Sequence, residues 1–180
     1  MLDRRGAVWE TARRASAALR RAHVPFAVAG GLAVHLHGYY RSTTDVDLLV
    51  AREDQAAIRE ALGAAGLPWS RSRREFVGPD DTPIHLLFAG ELIGQTGIAN
   101  PAPSAPALSE IDDLPVLRLA RIIEIKVAVG TSSVRRAHKD LADVVELIAA
   151  NKLTKAFAAK LHKSVRREFK RLVDVARSPE

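Results

Sequence analysis

The chain has 180 residues and a mass of 19.5 kDa, the size of one ordinary domain or of one domain with a helical tail. Hydrophobic residues make up 47% of it and charged residues 27%, as in globular proteins with a buried core. The absence of cysteine excludes disulfides, zinc–thiolate sites and thiol nucleophiles, so any metal must be held by Asp, Glu or His.

The net charge of +6 is concentrated near the C-terminus. Nine Lys and Arg residues against three acidic residues in 151–180 account for the whole excess. Such a segment can attract nucleic acid, or it can be the solvated face of a helix. The N-terminal segment is too charged for a signal peptide, and no apolar run approaches the roughly 18 residues of a membrane span. We therefore expect a cytoplasmic protein without membrane contact.

Hydrophobic periodicity predicts the following elements in chain order. In the first part these are a helix over 5–23, a strand over 26–29, a helical turn over 32–37, a strand over 45–50 and a helix over 54–65. The second part contains a hairpin of 68–78 with 82–89, a short strand over 115–117 and helices over 120–129, 137–150 and 153–176.

Strands come early and helices late, which predicts an α/β (α+β) fold with a small mixed sheet flanked by helices. We place a core in residues 1–118 and a C-terminal helical region, packed on that core, in residues 119–180. Apolar residues spaced by four and three predict that 153–176 is one amphipathic helix. Only the Pro-, Ala- and Ser-rich stretch 100–108 and the last three residues are expected to be disordered.

Two aspartates, Asp45 and Asp47, begin the strand over 45–50. Residues two apart in a strand point to the same face, where two like charges repel and destabilise the sheet. A cation between them would relieve the repulsion. Two aspartates with open coordination suit Mg²⁺, which takes its other ligands from water and substrate phosphates. The alternative is simple solvation at a strand edge.

Gly30 and Gly31 directly follow the strand over 26–29. Because they lack a Cβ, their backbone amides can approach a phosphate, and the N-terminus of a following helix favours negative charge. The alternative is an ordinary tight turn.

These features stand together in FAVAGGLAVHLHGYYRSTTDVDLLV, residues 26–50, in the order strand, Gly-Gly, helix and R-x-x-x-D-x-D. This stretch resembles the DNA polymerase β-like nucleotidyltransferase superfamily and looks closest to its AbiEii-like branch of type IV toxin-antitoxin nucleotidyltransferases. With weaker motifs, the likeness covers roughly residues 23–148. It implies a divalent metal, Mg²⁺ or Mn²⁺, and transfer of a nucleotide from an NTP to a hydroxyl or phosphate acceptor.

The resemblance also implies roles for individual residues. Asp45 and Asp47 would bind the metal, and Gly30 and Gly31 would cradle the NTP phosphates. The pattern is completed by Thr44.

Three further residues of the likeness have competing interpretations. Arg41 would bind phosphate through its planar guanidinium, or neutralise Asp45. Lys126 would point at the triphosphate, or extend to the surface. Asp140, in a Lys-Asp-x-x-Asp helix start typical of the branch, would belong to the nucleotide site, or be an acidic residue favoured by the helix dipole.

His85 is a departure from the family pattern. The superfamily usually carries a third carboxylate on a neighbouring strand, and the corresponding segment here, residues 83–88, reads PIHLLF. A neutral imidazole can act as metal ligand or general base in place of that carboxylate. The alternative is a buried core histidine.

Three functional hypotheses follow from the sequence. The first is a metal-dependent nucleotidyltransferase that acts on RNA or tRNA as a toxin-like enzyme, with the basic C-terminal helix as the RNA-binding surface and a cognate antitoxin as partner. The second is a catalytically degenerate protein that binds nucleotide or a toxin–antitoxin partner. The third is an antibiotic nucleotidyltransferase with a small-molecule acceptor.

Overall fold

A computed structural model describes residues 6–178 of the chain. The α-helices within that range are α1 (Ala7–Arg21), α2 (Gly30–Leu36), α3 (Gln55–Ala64), α4 (Leu119–Ser132), α5 (Val134–Ala150) and α6 (Arg166–Arg177). The strands are β1 (Phe26–Ala29), β2 (Val46–Val50), β3 (Trp69–Ser70), β4 (Glu75–Val77), β5 (Pro83–Phe88), β6 (Leu92–Ile93), β7 (Ile98–Ala99), β8 (Leu108–Ile111) and β9 (Leu114–Leu117).

Seven strands form one mixed sheet in the order β3-β4-β5-β2-β1-β9-β8, and β6 pairs with β7 in a separate hairpin. The central strand β2 runs antiparallel to β1 and parallel to β5. This arrangement confirms the predicted α/β (α+β) class. Among the described strands the last ends at Leu117 and helices follow, while the division into 1–118 and 119–180 stays a prediction.

The two strands that position the site are almost wholly apolar. All four residues of β1 are buried, and in β2 the four apolar residues are fully buried. Asp47 is the one polar residue of β2. Because an isolated charge is costly to bury, its carboxylate needs a charged or hydrogen-bonding partner beside it.

The described helices pack in two groups. Close contacts join α1 to α3, and further contacts join α4 to α5 and α5 to α6. Within residues 6–178 no helix combines the length and the apolar character needed to cross a bilayer. The cytoplasmic location stays a prediction.

The segments next to the predicted site differ from expectation in two details. The helix after β1 begins at Gly30 and not at residue 32, so the two glycines form its first turn. The predicted hairpin of 68–78 with 82–89 consists of three antiparallel strands, because 68–78 itself folds into β3 and β4.

The stretch 100–108, expected to be disordered, is ordered. Ala107 is buried, and Leu108 begins β8, which pairs antiparallel with β9. The connection between these strands is the two-residue turn Asp112-Asp113, with both residues at positive φ. Such turns match the twist of a hairpin and tolerate Asp. Strand pairing with β9 therefore outweighs the local Pro and Ala content. Of the last three residues, which were also expected to be disordered, 179 and 180 lie outside the described range.

The C-terminal apolar stripe is buried, but it does not lie on a single helix. Residues 155–160 and 163–165 form two 3₁₀ segments, and α6 begins only at Arg166. The chain is extended at Leu161 and His162, where the backbone N–H of His162 donates to the buried carboxylate of Glu124 at 2.6 Å. That amide is then unavailable for a helical hydrogen bond, and the helix is interrupted.

Candidate active site

The carboxylates of Asp45 and Asp47 lie at the beginning of β2. Asp47 is in register with Ala29 of β1 and with His85 of β5. Asp45 immediately precedes the strand, and its Oδ1 accepts a 3.0 Å hydrogen bond from Thr43 Oγ1. Both carboxylates are partly open to solvent. Since β2 is the central strand, Asp47 is not at an edge of the sheet.

His85 completes a group of three potential metal ligands with Asp45 and Asp47, whose ligand atoms all lie within 4.8 Å of one another. The imidazole Nδ1 is 3.5 Å from Asp47 Oδ1 and 3.7 Å from Asp45 Oδ2. Neighbouring ligands of one ion at bond lengths of about 2.1 Å stand about 3 Å apart, so small adjustments would fit a shared cation. The His85 side chain is 42% exposed, which makes the core-histidine alternative wrong.

Glu75 contacts the opposite side of the imidazole. Its Oε2 lies 3.2 Å from His85 Nε2, and its side chain is only 15% exposed. The register of β4 with β5, with Phe76 opposite Ile84, sets Glu75 opposite His85. Glu75 was not predicted as a site residue, and the signal that identifies it is this strand register. We call Asp45, Asp47, Glu75 and His85 the open cluster.

The carboxylates around His85 favour the protonated form of its imidazole in the metal-free protein. Its contact with Asp47 is the largest cause that raises the pKa of the imidazole, to about 9, against the opposing effect of burial. The charges of Asp47 and Asp45 and the hydrogen bond with Glu75 add to the increase. His85 must lose a proton before it can act as a ligand or base.

Gly30 allows the carboxylate of Asp47 to lie against the backbone. Gly30 has a φ of +57°, and a Cβ at this position would stand 1.7 Å from Asp47 Oδ2. A Cβ at Gly31 would stand 2.5 Å from Thr43 Oγ1. Both glycines are thus required by close approach of the segment that carries the aspartates, and not by an ordinary tight turn.

A second group of charges, which we call the buried network, consists of Arg41, Lys126, Asp140 and Asp143. The guanidinium of Arg41 donates to both oxygens of Asp143, at 2.7 and 2.9 Å. The ammonium of Lys126 lies 2.7 Å from Asp143 and 2.8 Å from Asp140. The two aspartates and Lys126 are less than 10% exposed, and Arg41 is 18% exposed.

These contacts contradict the structural alternatives left open by the sequence, while the nucleotide-binding roles of Arg41, Lys126 and Asp140 stay predictions. Arg41 pairs with Asp143, so the interpretation that it neutralises Asp45 is wrong. Lys126 is buried and does not extend to the surface. Asp140 lies well inside α5, which begins at Val134, so it is not a helix-start charge. Thr44 is exposed, and its neighbour Thr43 makes the contact with the site.

A cavity of about 270 Å³ joins the open cluster to the buried network. Its lining includes the charged or polar side chains of Asp47, Asn100, Lys126, Arg136 and Asp140, together with Gly30. The apolar part of the lining comes from β5, from the β6–β7 hairpin and from α4, namely Leu87, Leu92, Ile93, Ile122, Ile125 and Val129. The cavity can therefore contact both charged and uncharged parts of a bound molecule.

The structure brings most of the predicted site residues to this one region. Gly30, Asp47, Lys126 and Asp140 line the cavity itself, and the other predicted residues adjoin it through the contacts described above, apart from the exposed Thr44. The residues that the sequence analysis missed are Thr43, Glu75 and Arg136, whose Nε lies 3.4 Å from Asp140 Oδ2. Asp143 was recognised only as part of a motif.

Comparisons with known proteins agree with the fold. The family model of aminoglycoside-2''-adenylyltransferase matches residues 12–91, which is less than half of the chain. A crystal structure of ANT(2'')-Ia in complex with adenylyl-2''-tobramycin is similar at a TM-score of 0.55 and 15% identity, over 92% of this chain and 94% of that one. A candidate nucleotidyltransferase from H. pylori is similar at a TM-score of 0.53 and 15% identity, over 93% and 80% of the two chains. No curated protein matches the chain by sequence.

These findings support the nucleotidyltransferase superfamily and a nucleotidyltransferase fold. They do not support the AbiEii-like branch specifically, toward which the sequence resemblance pointed. In this nucleotidyltransferase-like fold, Asp45, Asp47 and His85 lie close enough together to hold a metal ion.

Proposed function

We propose that this chain is a metal-dependent nucleotidyltransferase that transfers a nucleotidyl group from an NTP to a hydroxyl group of an acceptor. The observation that carries the proposal is the convergence of Asp45, Asp47 and His85 beside Gly30, at a cavity that also contains Lys126. The matched family model adds support, since it covers the segment that holds the glycines and both aspartates.

The donor atoms fit a divalent cation. Three carboxylates and a single imidazole form the open cluster, so bound metal would correct an excess of negative charge. Asp45 and Asp47 would hold the ion, with His85 at the third position. When bound, such an ion polarises phosphoryl oxygens and stabilises the leaving pyrophosphate.

The residues of the chain would act mainly by positioning and electrostatics. Two of the three N–H donors of Lys126 are directed at aspartates, which leaves one for a phosphate oxygen in the cavity. The acceptor oxygen would bond to the α-phosphorus as the bond from that phosphorus to the β-phosphate oxygen breaks. The hydroxyl proton would pass to a base of the open cluster, either neutral His85 or a carboxylate.

A small hydroxylated molecule, such as an aminoglycoside antibiotic, is the acceptor class that we favour. The matched family is named for adenylyl transfer to an aminoglycoside, and the ANT(2'')-Ia structure contains an adenylylated tobramycin. The acidic character of the open cluster is also suited to an acceptor that carries amino groups.

RNA is the second acceptor class. All nine Lys and Arg residues between 152 and 177 are exposed, so they can form an electrostatic surface for RNA or simply a solvated face. This class includes the toxin-like role, with a cognate antitoxin, that the sequence resemblance implies. A degenerate protein that only binds nucleotide is the third alternative, because Arg41 and Lys126 are already paired with aspartates.

A transfer assay with α-³²P-labelled NTPs, in the presence of Mg²⁺ or Mn²⁺, separates these alternatives. We expect label on one acceptor from a panel of aminoglycosides and total RNA, and no label when Asp47→Asn replaces the wild type. Asp174→Asn, which changes an exposed carboxylate on α6, is the matched control and should keep full transfer. Nucleotide binding without transfer to any acceptor would favour the degenerate alternative. Transfer that persists in Asp47→Asn would contradict the proposed site.

A further inference from the structure

The imidazole of His85 lies between the carboxylate of Glu75 on one side and the carboxylates of Asp45 and Asp47 on the other. Its Nε2 faces Glu75 at 3.2 Å, and its Nδ1 faces Asp47 and Asp45 at 3.5 and 3.7 Å. In a neutral imidazole only one nitrogen carries a hydrogen, and the other presents a lone pair. If Nε2–H donates to Glu75, the lone pair of Nδ1 is directed at the same point as the two aspartates.

We propose that Glu75 fixes this tautomer of His85, so that the open cluster selects a first-row transition ion such as Mn²⁺ over Mg²⁺. The inference rests on the proposed function only in so far as both use Asp45 and Asp47 as metal ligands. Glu75 is a positioning residue in this arrangement, because it acts on the metal through the imidazole.

The reason for the selectivity is the chemistry of the three donors. Mg²⁺ strongly prefers oxygen ligands and nearly ideal octahedral geometry. An imidazole nitrogen favours first-row transition ions, and a carboxylate that accepts the other N–H of the ring fixes its orientation and makes it a better ligand. Because Glu75 is little exposed, water competes only weakly with the imidazole N–H for a hydrogen bond to its carboxylate.

The strand arrangement positions Asp47, His85 and Glu75. Asp47, His85 and Glu75 belong to the adjacent strands β2, β5 and β4, and the register sets His85 beside Asp47 on one side and opposite Glu75 on the other. These three side chains therefore lie on three adjacent strands of one sheet, and their positions do not depend on a loop movement. The guanidinium of Arg73 lies 4.0 Å from Glu75 on the side of this arrangement away from β2.

Metal binding to the full-length protein without NTP tests this inference directly. The dissociation constants of Mn²⁺ and Mg²⁺ are measured at one fixed pH, by electron paramagnetic resonance for Mn²⁺ and by competition with Mn²⁺ for Mg²⁺. We expect the wild type to bind Mn²⁺ more tightly. In His85→Asp the ratio of the Mg²⁺ to the Mn²⁺ constant should fall about tenfold or more, because oxygen replaces nitrogen. Electron spin-echo modulation from a ligand nitrogen should be present in wild type and absent in this variant.

The second variant isolates Glu75. In Glu75→Gln we expect Mn²⁺ affinity to fall roughly 10- to 100-fold, as on loss of other carboxylates that support a metal-bound histidine. Asp81→Asn is the matched control, since Asp81 is an exposed carboxylate 3.5 Å from the same Arg73, and its Mn²⁺ affinity should stay at the wild-type value. Thermal melts in chelator identify any variant that is unfolded.

Two outcomes would overturn the inference: an unchanged Mg²⁺ to Mn²⁺ ratio in His85→Asp, or an unchanged Mn²⁺ affinity in Glu75→Gln. These outcomes are distinct from failure of the proposed function. Mn²⁺ selectivity with the nitrogen signal but without nucleotidyl transfer supports the inference and contradicts the function. Transfer by a protein that binds Mg²⁺ and Mn²⁺ equally supports the function and contradicts the inference.

Discussion

The open cluster and the buried network both contribute residues to one cavity, but they differ in charge balance and exposure. The buried network contains two cations and two anions, and every member has a partner within 2.9 Å. In the open cluster three carboxylates surround one histidine, and the shortest contact between its members is 3.2 Å. Three of its four side chains are 19–42% exposed.

This difference assigns separate tasks to the two groups. A charge-balanced group that is shielded from water links Arg41, on the segment before β2, to α4 and α5, and removal of one member would leave an uncompensated buried charge. A group with excess negative charge and loose contacts gains most from an added cation. We therefore expect changes in the buried network to act on stability, and changes in the open cluster to act on ligand binding.

The largest effect on stability is expected for Asp143→Asn. This change removes one charge between Arg41 and Lys126 and leaves two buried cations with only Asp140 nearby, which should lower the free energy of unfolding by about 3–5 kcal/mol. Urea unfolding measures it. The control is Glu110→Gln, in an exposed ion pair with Arg20, for which we expect at most about 1 kcal/mol. Equal effects of the two changes would contradict the structural role of the buried network.

Gly30→Ala should have the next largest effect on stability. A Cβ at this position is strained by the φ of +57° and would displace the carboxylate of Asp47. We expect a loss of about 1–3 kcal/mol in unfolding free energy, together with weaker metal binding.

Gly63→Ala is the control for Gly30→Ala. Gly63 lies in α3, and a Cβ added to it would meet nothing within 4 Å. Alanine there should raise the unfolding free energy by about 0.5–1 kcal/mol. The same chemical change should therefore lower the unfolding free energy at Gly30 and raise it at Gly63. An equal loss at both positions would show that close approach to Asp47 does not cause the loss at Gly30.

The sequence predicts those parts of the fold and site that depend on local patterns. The spacing of two residues at the start of β2 predicts that Asp45 and Asp47 face the same site, and the Gly-Gly pair marks where the backbone approaches them. The resemblance to a family supplied His85 as a position of interest, although residue type alone did not reveal its charge.

Contacts between distant segments were beyond the reach of local patterns. The break in the C-terminal stripe is caused by a buried Glu124 that is 38 residues away in sequence from His162. Glu75 and Asp143 were missed as site residues for the same reason. Their partners are set by strand register and helix packing, which a single sequence does not display.

Asp47→Asn should change stability much less than the changes above and ligand binding much more. In chelator, removal of this carboxylate relieves its repulsion with Asp45 but also loses its contact with His85, so the unfolding free energy should change by no more than about 1 kcal/mol. Mn²⁺ binding should be lost. Asp140→Asn, the control from the buried network, should show the reverse, with a clear loss of stability. A loss of several kcal/mol in Asp47→Asn would show that the open cluster is structural.

The smallest effect concerns the pH dependence of the metal-free protein. Asp47 on β2, Glu75 on β4 and Asp45 just before β2 face His85 and raise its pKa to about 9, against about 6.5 in the unfolded chain. A base whose pKa is raised by folding stabilises the folded state below its unfolded pKa, and this contribution is lost as the pH rises through the folded pKa. In chelator the melting temperature should therefore decrease between pH 6.5 and 9, and by less in His85→Gln. Titration of the imidazole by NMR locates the midpoint, and a midpoint near 6.5 would show that the carboxylates of the open cluster do not hold a positive charge among them.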